Sequence, residues 1–136
     1  MKKILIVDDS LTSRMFLKKC IQMATSDHPC EIIEAENGED AFSMLGMIEN
    51  IDLVVSDVNM PVMTGFTFLR NIKNTPHLAG LPVIFITSMA SDSRVQNLME
   101  IGAAGVIRKP TSPADVIKAI SPYIGEEEKK NTDKWG

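Results

Sequence analysis

Apolar residues in this chain fall into short unbroken runs separated by longer stretches of helical spacing. Lys3-Ile4-Leu5-Ile6-Val7, Ile51-Asp52-Leu53-Val54-Val55-Ser56-Asp57 and Pro82-Val83-Ile84-Phe85-Ile86 are close to continuous in apolar character rather than alternating. A strand that faces water on one side alternates apolar and polar positions. Runs of this kind therefore predict strands covered on both faces, the habit of a parallel sheet. Glu31 to Ala35 and Val106-Ile107-Arg108 supply two further strands. Between the runs the period becomes helical. After Ser10 or Thr12, either of which can cap a helix, Phe16, Leu17, Cys20, Ile21 and Ala24 line one face until Asp27-His28-Pro29 stops it. Asn37-Gly38 leads into a helix with Ala41, Phe42, Leu45 and Ile48 on one face, and a third helix runs from about Gly65 to Lys73. Thr75-Pro76 and Gly80-Leu81-Pro82 break the chain before the fourth strand. Ser91 or Asp92 caps a helix carrying Val95, Leu98, Met99 and Ile101, closed by Gly102. Ser112-Pro113 opens a last helix with Val116, Ile117 and Ile120. Five strand–helix units in succession predict an α/β fold: a doubly wound parallel sheet with right-handed crossovers and helices on both faces.

That architecture gathers the polar residues at the strand ends onto one lip, where open α/β sheets bind ligands. Asp8 and Asp9 follow the first strand, Asp57 closes the third, Thr87 and Ser88 follow the fourth, and Lys109 follows the fifth. Taken singly, each has an ordinary explanation: Asp9 as a helix cap, Thr87 and Ser88 as turn hydroxyls, Lys109 as a solvated strand end. Jointly they would require several independent accidents, so they form a candidate site. Three carboxylates brought together repel, and at least one pKa rises unless a cation is present. A hard divalent ion resolves this, and Mg²⁺ suits one or two carboxylates plus substrate phosphate oxygens. Such a site fits phosphoryl transfer, where catalysis is mostly positioning and charge stabilisation. Lys109 would supply a point charge, Thr87 a hydroxyl, and one of the aspartates the nucleophile.

Composition narrows the picture. The 136 residues suffice for one domain with covered sheet faces, and 44% hydrophobic with 24% charged residues is ordinary for a soluble globular protein. A net charge of −4 offers no general attraction to nucleic acid or an anionic membrane, and no apolar run approaches the roughly 20 residues of a membrane span. Lys2-Lys3 is followed by a short apolar run that ends in aspartates, which is no signal peptide. Cys20 and Cys30 fit no metal or redox spacing and read as reduced thiols of a cytoplasmic protein, Cys20 in a helix core and Cys30 at a strand edge. His28 and His77 read as solvated loop residues.

Asp8-Asp9, Asp57 with Met60-Pro61, Thr87-Ser88 and Lys109-Pro110, each at a strand end and in this order, resemble the receiver domain of two-component response regulators, the CheY-like domains. Glu34-Ala35-Glu36-Asn37-Gly38-Glu39-Asp40-Ala41 resembles that family's second strand-to-helix turn. The resemblance covers residues 1–124 and implies the flavodoxin/CheY-like strand order 2-1-3-4-5 with five flanking helices. It implies that Asp57 is the phosphoacceptor, taking a phosphoryl group from a histidine kinase or phosphotransfer protein. It further implies Mg²⁺ on Asp9, Asp57 and the main-chain carbonyl of Asn59, with Asp8 acting through water. Thr87 and Lys109 would contact the phosphoryl oxygens, and the Lys109-Pro110 bond would be cis. Thr87, Ser88 and Val106 would form the switch. Three positions depart from the pattern: Val106 where the family carries Tyr or Phe, Thr111-Ser112 where Phe commonly follows Lys109-Pro110, and apolar Met89 two residues after Thr87.

The resulting expectation is a stand-alone receiver, monomeric or weakly dimeric. It is not an enzyme acting on small substrates, and it binds neither nucleic acid nor membrane. It would signal to a downstream protein partner through the face built by residues 87–124. A Mg²⁺-dependent aspartyl-phosphate phosphohydrolase is the alternative from another class. Such enzymes need an acid two residues after the nucleophile, where this chain has Asn59. A flavodoxin-like cofactor binder would need a phosphate-cradling loop in place of Asp8-Asp9. A receiver fragment of a longer regulator is the remaining alternative. Residues 125–136 form a polar C-terminal tail in which only Trp135 suggests a docking contact.

Overall fold

The structure is a computed structural model that describes residues 1–88 and 91–124. Met89 and the polar tail 125–136, with Trp135, lie outside the described residues. Strands and helices alternate as β1 (Lys3–Val7), α1 (Leu11–Ala24), β2 (Glu31–Ala35), α2 (Gly38–Met47), β3 (Leu53–Ser56), α3 (Gly65–Lys73), β4 (Val83–Thr87), α4 (Asp92–Ile101), β5 (Gly105–Arg108) and α5 (Pro113–Ile120), which ends in a 3₁₀ turn over Ser121–Tyr123. Each helix starts where a short polar side chain can serve an otherwise unpaired amide. Ser10, Asn37, Thr64, Ser91 and Ser112 each accept from the N–H three residues on. Pro113 adds its fixed φ to the first turn of α5.

The five strands form one parallel sheet in the order β2-β1-β3-β4-β5, the order the family resemblance implies. The continuous apolar runs occupy the interior: β3 and β4 are buried throughout and β1 from Ile4 onward, while β2 and β5, at the edges, are only partly covered. Side chains alternate across the sheet, so each inner strand feeds two cores. Leu5, Val7, Val54, Val83 and Phe85 face α2, α3 and α4. Ile4, Ile6, Leu53, Val55, Ile84 and Ile86 face α1 and α5. Cys20 is a buried core thiol and Cys30 is half-buried, both unbridged. Among the described residues no helix is long and apolar enough to cross a membrane.

Three local details differ from the sequence pattern. β3 begins at Leu53, because Asp52 instead exchanges bonds with Lys3: its N–H donates to the Lys3 carbonyl and its carboxylate accepts the Lys3 N–H at 2.8 Å. Ile48 is the extended C-cap of α2 and not part of its helical face. Met99 is 44% exposed, since α4 sinks only Leu98 fully and the next residue is turned about 100° away.

The chain doubles back between β1 and β3: α1 carries it outward to β2, and α2 returns it across β1 to β3. The carboxyl ends of β1 and β3 therefore meet at the reversal of strand order, where the crevice of a doubly wound sheet opens. Gly65 holds the first turn of α3 against this point. Its N–H donates to the Val58 carbonyl at 2.8 Å, and a Cβ on it would lie 2.8 Å from the Phe85 ring and 2.9 Å from the Val58 Cα. Gly65→Ala is expected to destabilise the fold by about 1–3 kcal/mol through this overlap. Urea unfolding measures it; an unchanged midpoint would mean that α3 shifts freely.

Candidate functional site

The strands that end at the crevice deliver polar residues there. Asp8 follows β1 and is almost wholly buried at 2% exposure; Asp9 beside it is exposed; Asp57, one residue past β3, is half-buried. One carboxylate oxygen from each of the three lies within 4.8 Å of the others. The Asp57 amide extends the ladder by donating to the Val7 carbonyl at 2.9 Å, and its Oδ1 accepts the Val58 N–H at 2.7 Å. Asp8 donates its N–H to the Ala35 carbonyl and accepts the Ser10 N–H on Oδ1 at 2.9 Å. Lys109, from the turn after β5, brings its Nζ to 3.9 Å from Asp8 Oδ2.

Thr87 is fully buried as the last residue of β4, and its carbonyl accepts the Lys109 N–H at 2.7 Å. Ser88 is exposed just beyond it. The Lys109-Pro110 bond is cis. Asn59 is exposed in the turn after Asp57, between buried Val58 and Met60. Val106 lies opposite Phe85 in the ladder and packs, partly buried, against the core under α2, α3 and α4. All of the candidate residues except Val106 thus sit at the carboxyl end of the sheet.

Burial pushes the Asp8 carboxyl above its ordinary value, and the charges of Asp57 and Asp9 push it further. The Ser10 amide and the Lys109 ammonium offset this only in part. The donor set is all oxygen with no thiolate or imidazole, it carries surplus negative charge, and it fits a hard divalent cation. Without a cation the folded state holds the Asp8 proton more tightly than the unfolded chain does. Stability contributed at this site is therefore highest at acid pH and falls as pH rises from the ordinary Asp range through the raised value. Asp8→Asn in EDTA at pH 7 is expected to melt about 2–5 °C above the parent chain. The gap should close on acidification. A gap independent of pH would place its origin elsewhere than the carboxylate.

Two contributors were not marked by the spacing of the strand ends. Ser56 is fully buried and donates its hydroxyl to the Asp57 carbonyl at 2.8 Å. Arg14 is buried at 8% exposure and donates from Nη1 to the Asp8 carbonyl at 2.8 Å. The signal for Arg14 was available: it stands three residues before Leu17 and seven before Ile21, on the apolar stripe of α1.

A doubly wound sheet of order 2-1-3-4-5 with an acidic crevice at its β1/β3 reversal defines a receiver-type module. Residues 4–121 match the family described as response regulator receiver domain, and the chain belongs to that family. It is 29% identical over 121 residues to the two-component response regulator ORR3 of Oryza sativa, covering 89% of each chain. A chemotaxis protein CheY homolog of Campylobacter jejuni is 27% identical over 123 residues, covering 90% of this chain and 92% of its own. Among solved structures, chemotaxis response regulator CheY4 of Vibrio cholerae superposes with a TM-score of 0.78 at 31% identity, covering 91% of this chain and 99% of that one.

Proposed function

We propose that this receiver accepts a phosphoryl group on Asp57 from a phosphohistidine of a histidine kinase or phosphotransfer protein, with Mg²⁺ in the acidic crevice, and then binds a downstream protein. The observation that carries this is the joining of Asp8, Asp9 and Asp57 at one point with Lys109 against them. Asp8, Asp9, Asp57 and the Asn59 carbonyl would hold the cation, which neutralises charge on the transferring group when bound. In the transfer, a carboxylate oxygen of Asp57 forms the new bond to phosphorus as the phosphorus–nitrogen bond breaks and its electron pair returns to the imidazole. Val58 N–H already engages Oδ1, which orients the carboxylate. Lys109 carries its ammonium to the same edge, and the Thr87 hydroxyl is the donor that would turn toward the new charge. We read the chain as a phosphoacceptor and not as a phosphohydrolase, because Asn59 stands where a general acid would be needed and an amide transfers no proton.

The output face in this reading is built by β4, α4, β5 and α5. Thr87 pairs with Arg108 in the ladder, Lys109 bonds the Thr87 carbonyl, and Arg108 forms an ion pair with Asp92 in the first turn of α4. Movement of Thr87 would thus be felt by both neighbouring elements. With Val106 in place of an aromatic ring, displacement of Thr87 and of α4 carries the signal as a shift between two states. Adding beryllofluoride with Mg²⁺ as a phosphoryl mimic is expected to concentrate amide shifts in residues 87–124, beyond those at Asp8, Asp9 and Asp57. Shifts clustered instead on α1 and α2 would move the output surface there.

A further inference from the structure

The buried stripe of α1 contains one cation. Arg14 lies in line with Leu17 and Ile21, and only a tenth of its side chain is exposed. Helix stability does not account for it: the first turn of a helix carries unpaired N–H groups and disfavours positive charge. A buried charge also costs several kcal/mol unless its donors are matched. The partners supply the explanation. Nε donates to Glu34 Oε1 at 3.0 Å, and Nη2 lies 3.9 Å from Glu36 Oε1. Lys18 holds the other Glu34 oxygen at 3.2 Å. Burial would raise the Glu34 carboxyl, but the hydrogen bonds and charges of Lys18 and Arg14 outweigh it and hold the group below its ordinary value. Glu34 is therefore a charged anchor on β2.

Bracing α1 to β2 requires only the Nε–Glu34 bond. Nη1 does something separate: it donates at 2.8 Å to the carbonyl of Asp8, which belongs to the peptide joining Asp8 to Asp9. Asp8 is then fixed at three points, its N–H by the Ala35 carbonyl, its Oδ1 by the Ser10 N–H and its carbonyl by Arg14. Asp9 is exposed, and the plane of that peptide sets where its side chain leaves the backbone. We propose that Arg14 is a positioning residue for the cation site, clamping the Asp8–Asp9 peptide so that both carboxylates face one ion; this rests on the metal-dependent reading above. A planar fork can serve Glu34 and the carbonyl at once, which a lysine cannot.

Amide NMR on the full chain tests this in the parent, Arg14→Met, Arg14→Lys and Glu34→Gln, with Mg²⁺ alone as probe and with hydrogen exchange of the Ser10 amide, which donates to Asp8 Oδ1, followed in EDTA. Loss of a partner behind a metal ligand costs about 10–100-fold in affinity, so Arg14→Met should weaken Mg²⁺ about tenfold, with Arg14→Lys between it and the parent. Glu34→Gln should lower the melting temperature yet keep Mg²⁺ affinity within about twofold, because the bond to Asp8 survives. In EDTA, the Ser10 amide should exchange faster in both Arg14 variants, because its acceptor on Asp8 is no longer held. An affinity loss in Glu34→Gln as large as in Arg14→Met would reduce Arg14 to a brace between α1 and β2, and so would unchanged Ser10 exchange in the Arg14 variants. A parent chain that binds no Mg²⁺ would overturn the metal reading, and the exchange measured in EDTA would still decide the clamp.

Discussion

Asp57→Asn is expected to take no label from acetyl phosphate, while the parent chain gains one phosphoryl group by intact mass. The substitution removes the nucleophilic oxygen but leaves an amide oxygen able to accept the Val58 N–H that now reaches Oδ1 at 2.7 Å. The fold should therefore persist, and the variant should in fact be more stable. Asp57 is one of the charges that push the buried Asp8 carboxyl up, so neutralising it relieves a repulsion present at neutral pH in the absence of metal. The melting temperature in EDTA should therefore rise above that of the parent chain. Label retained in the variant would move the nucleophile, with Asp9, the exposed member of the cluster, as the first place to look.

Removal of divalent cations is expected to have an equally large effect on the parent chain. The crevice sets an oxygen from each of three carboxylates within 4.8 Å of one another, with the Lys109 ammonium beside them, and an incoming phosphoryl group adds further negative charge. Without a cation the donor would meet net repulsion and the nucleophile would lack its counter-charge. A bound metal supplies several kcal/mol to such a transition state, so labelling in excess EDTA should slow by about 10²-fold or more and recover when Mg²⁺ is restored. Ca²⁺, larger and less exacting in geometry, should restore it poorly. Undiminished labelling in EDTA would remove the metal from the account.

Much of this was legible in the pattern of residues because the two strongest signals are local. A continuous apolar run such as Ile4-Leu5-Ile6-Val7 has no exposed face, which identifies an inner parallel strand, and the polar residues that close such a run gather near the lip. Asp8, Asp57, Thr87 and Lys109 were all located that way. The strand order, the cis Lys109-Pro110 bond and the individual roles came from the family resemblance, since no spacing rule yields them. What escaped depends on tertiary contacts. Ser56 reads as one more strand residue until its hydroxyl is seen against the Asp57 carbonyl. Met99 fits the helical period of α4 but falls outside the narrow strip that meets the core. Arg14 carries no motif of its own, although its register with Leu17 and Ile21 puts it underneath; Glu34 and the Asp8 carbonyl together make that burial tolerable.

The Arg108–Asp92 pair and the contact of Arg94 with the Phe66 ring, 6.0 Å from its centroid, tie the start of α4 to β5 and to α3. The cations of both contacts are exposed, and each contact is worth little by itself. That suits a helix whose position responds to Thr87, because a firmly buried α4 would resist a shift of a few kcal/mol.

The account stands most directly on where the phosphoryl group is attached. Borohydride reduces an aspartyl phosphate to homoserine, so treating the chain with acetyl phosphate and Mg²⁺, reducing it and mapping the peptides reads the site chemically, with no substitution in the crevice. Homoserine at position 57 alone, absent when EDTA replaces Mg²⁺, is the predicted result; homoserine at position 8 or 9, or at none of the three, would contradict it.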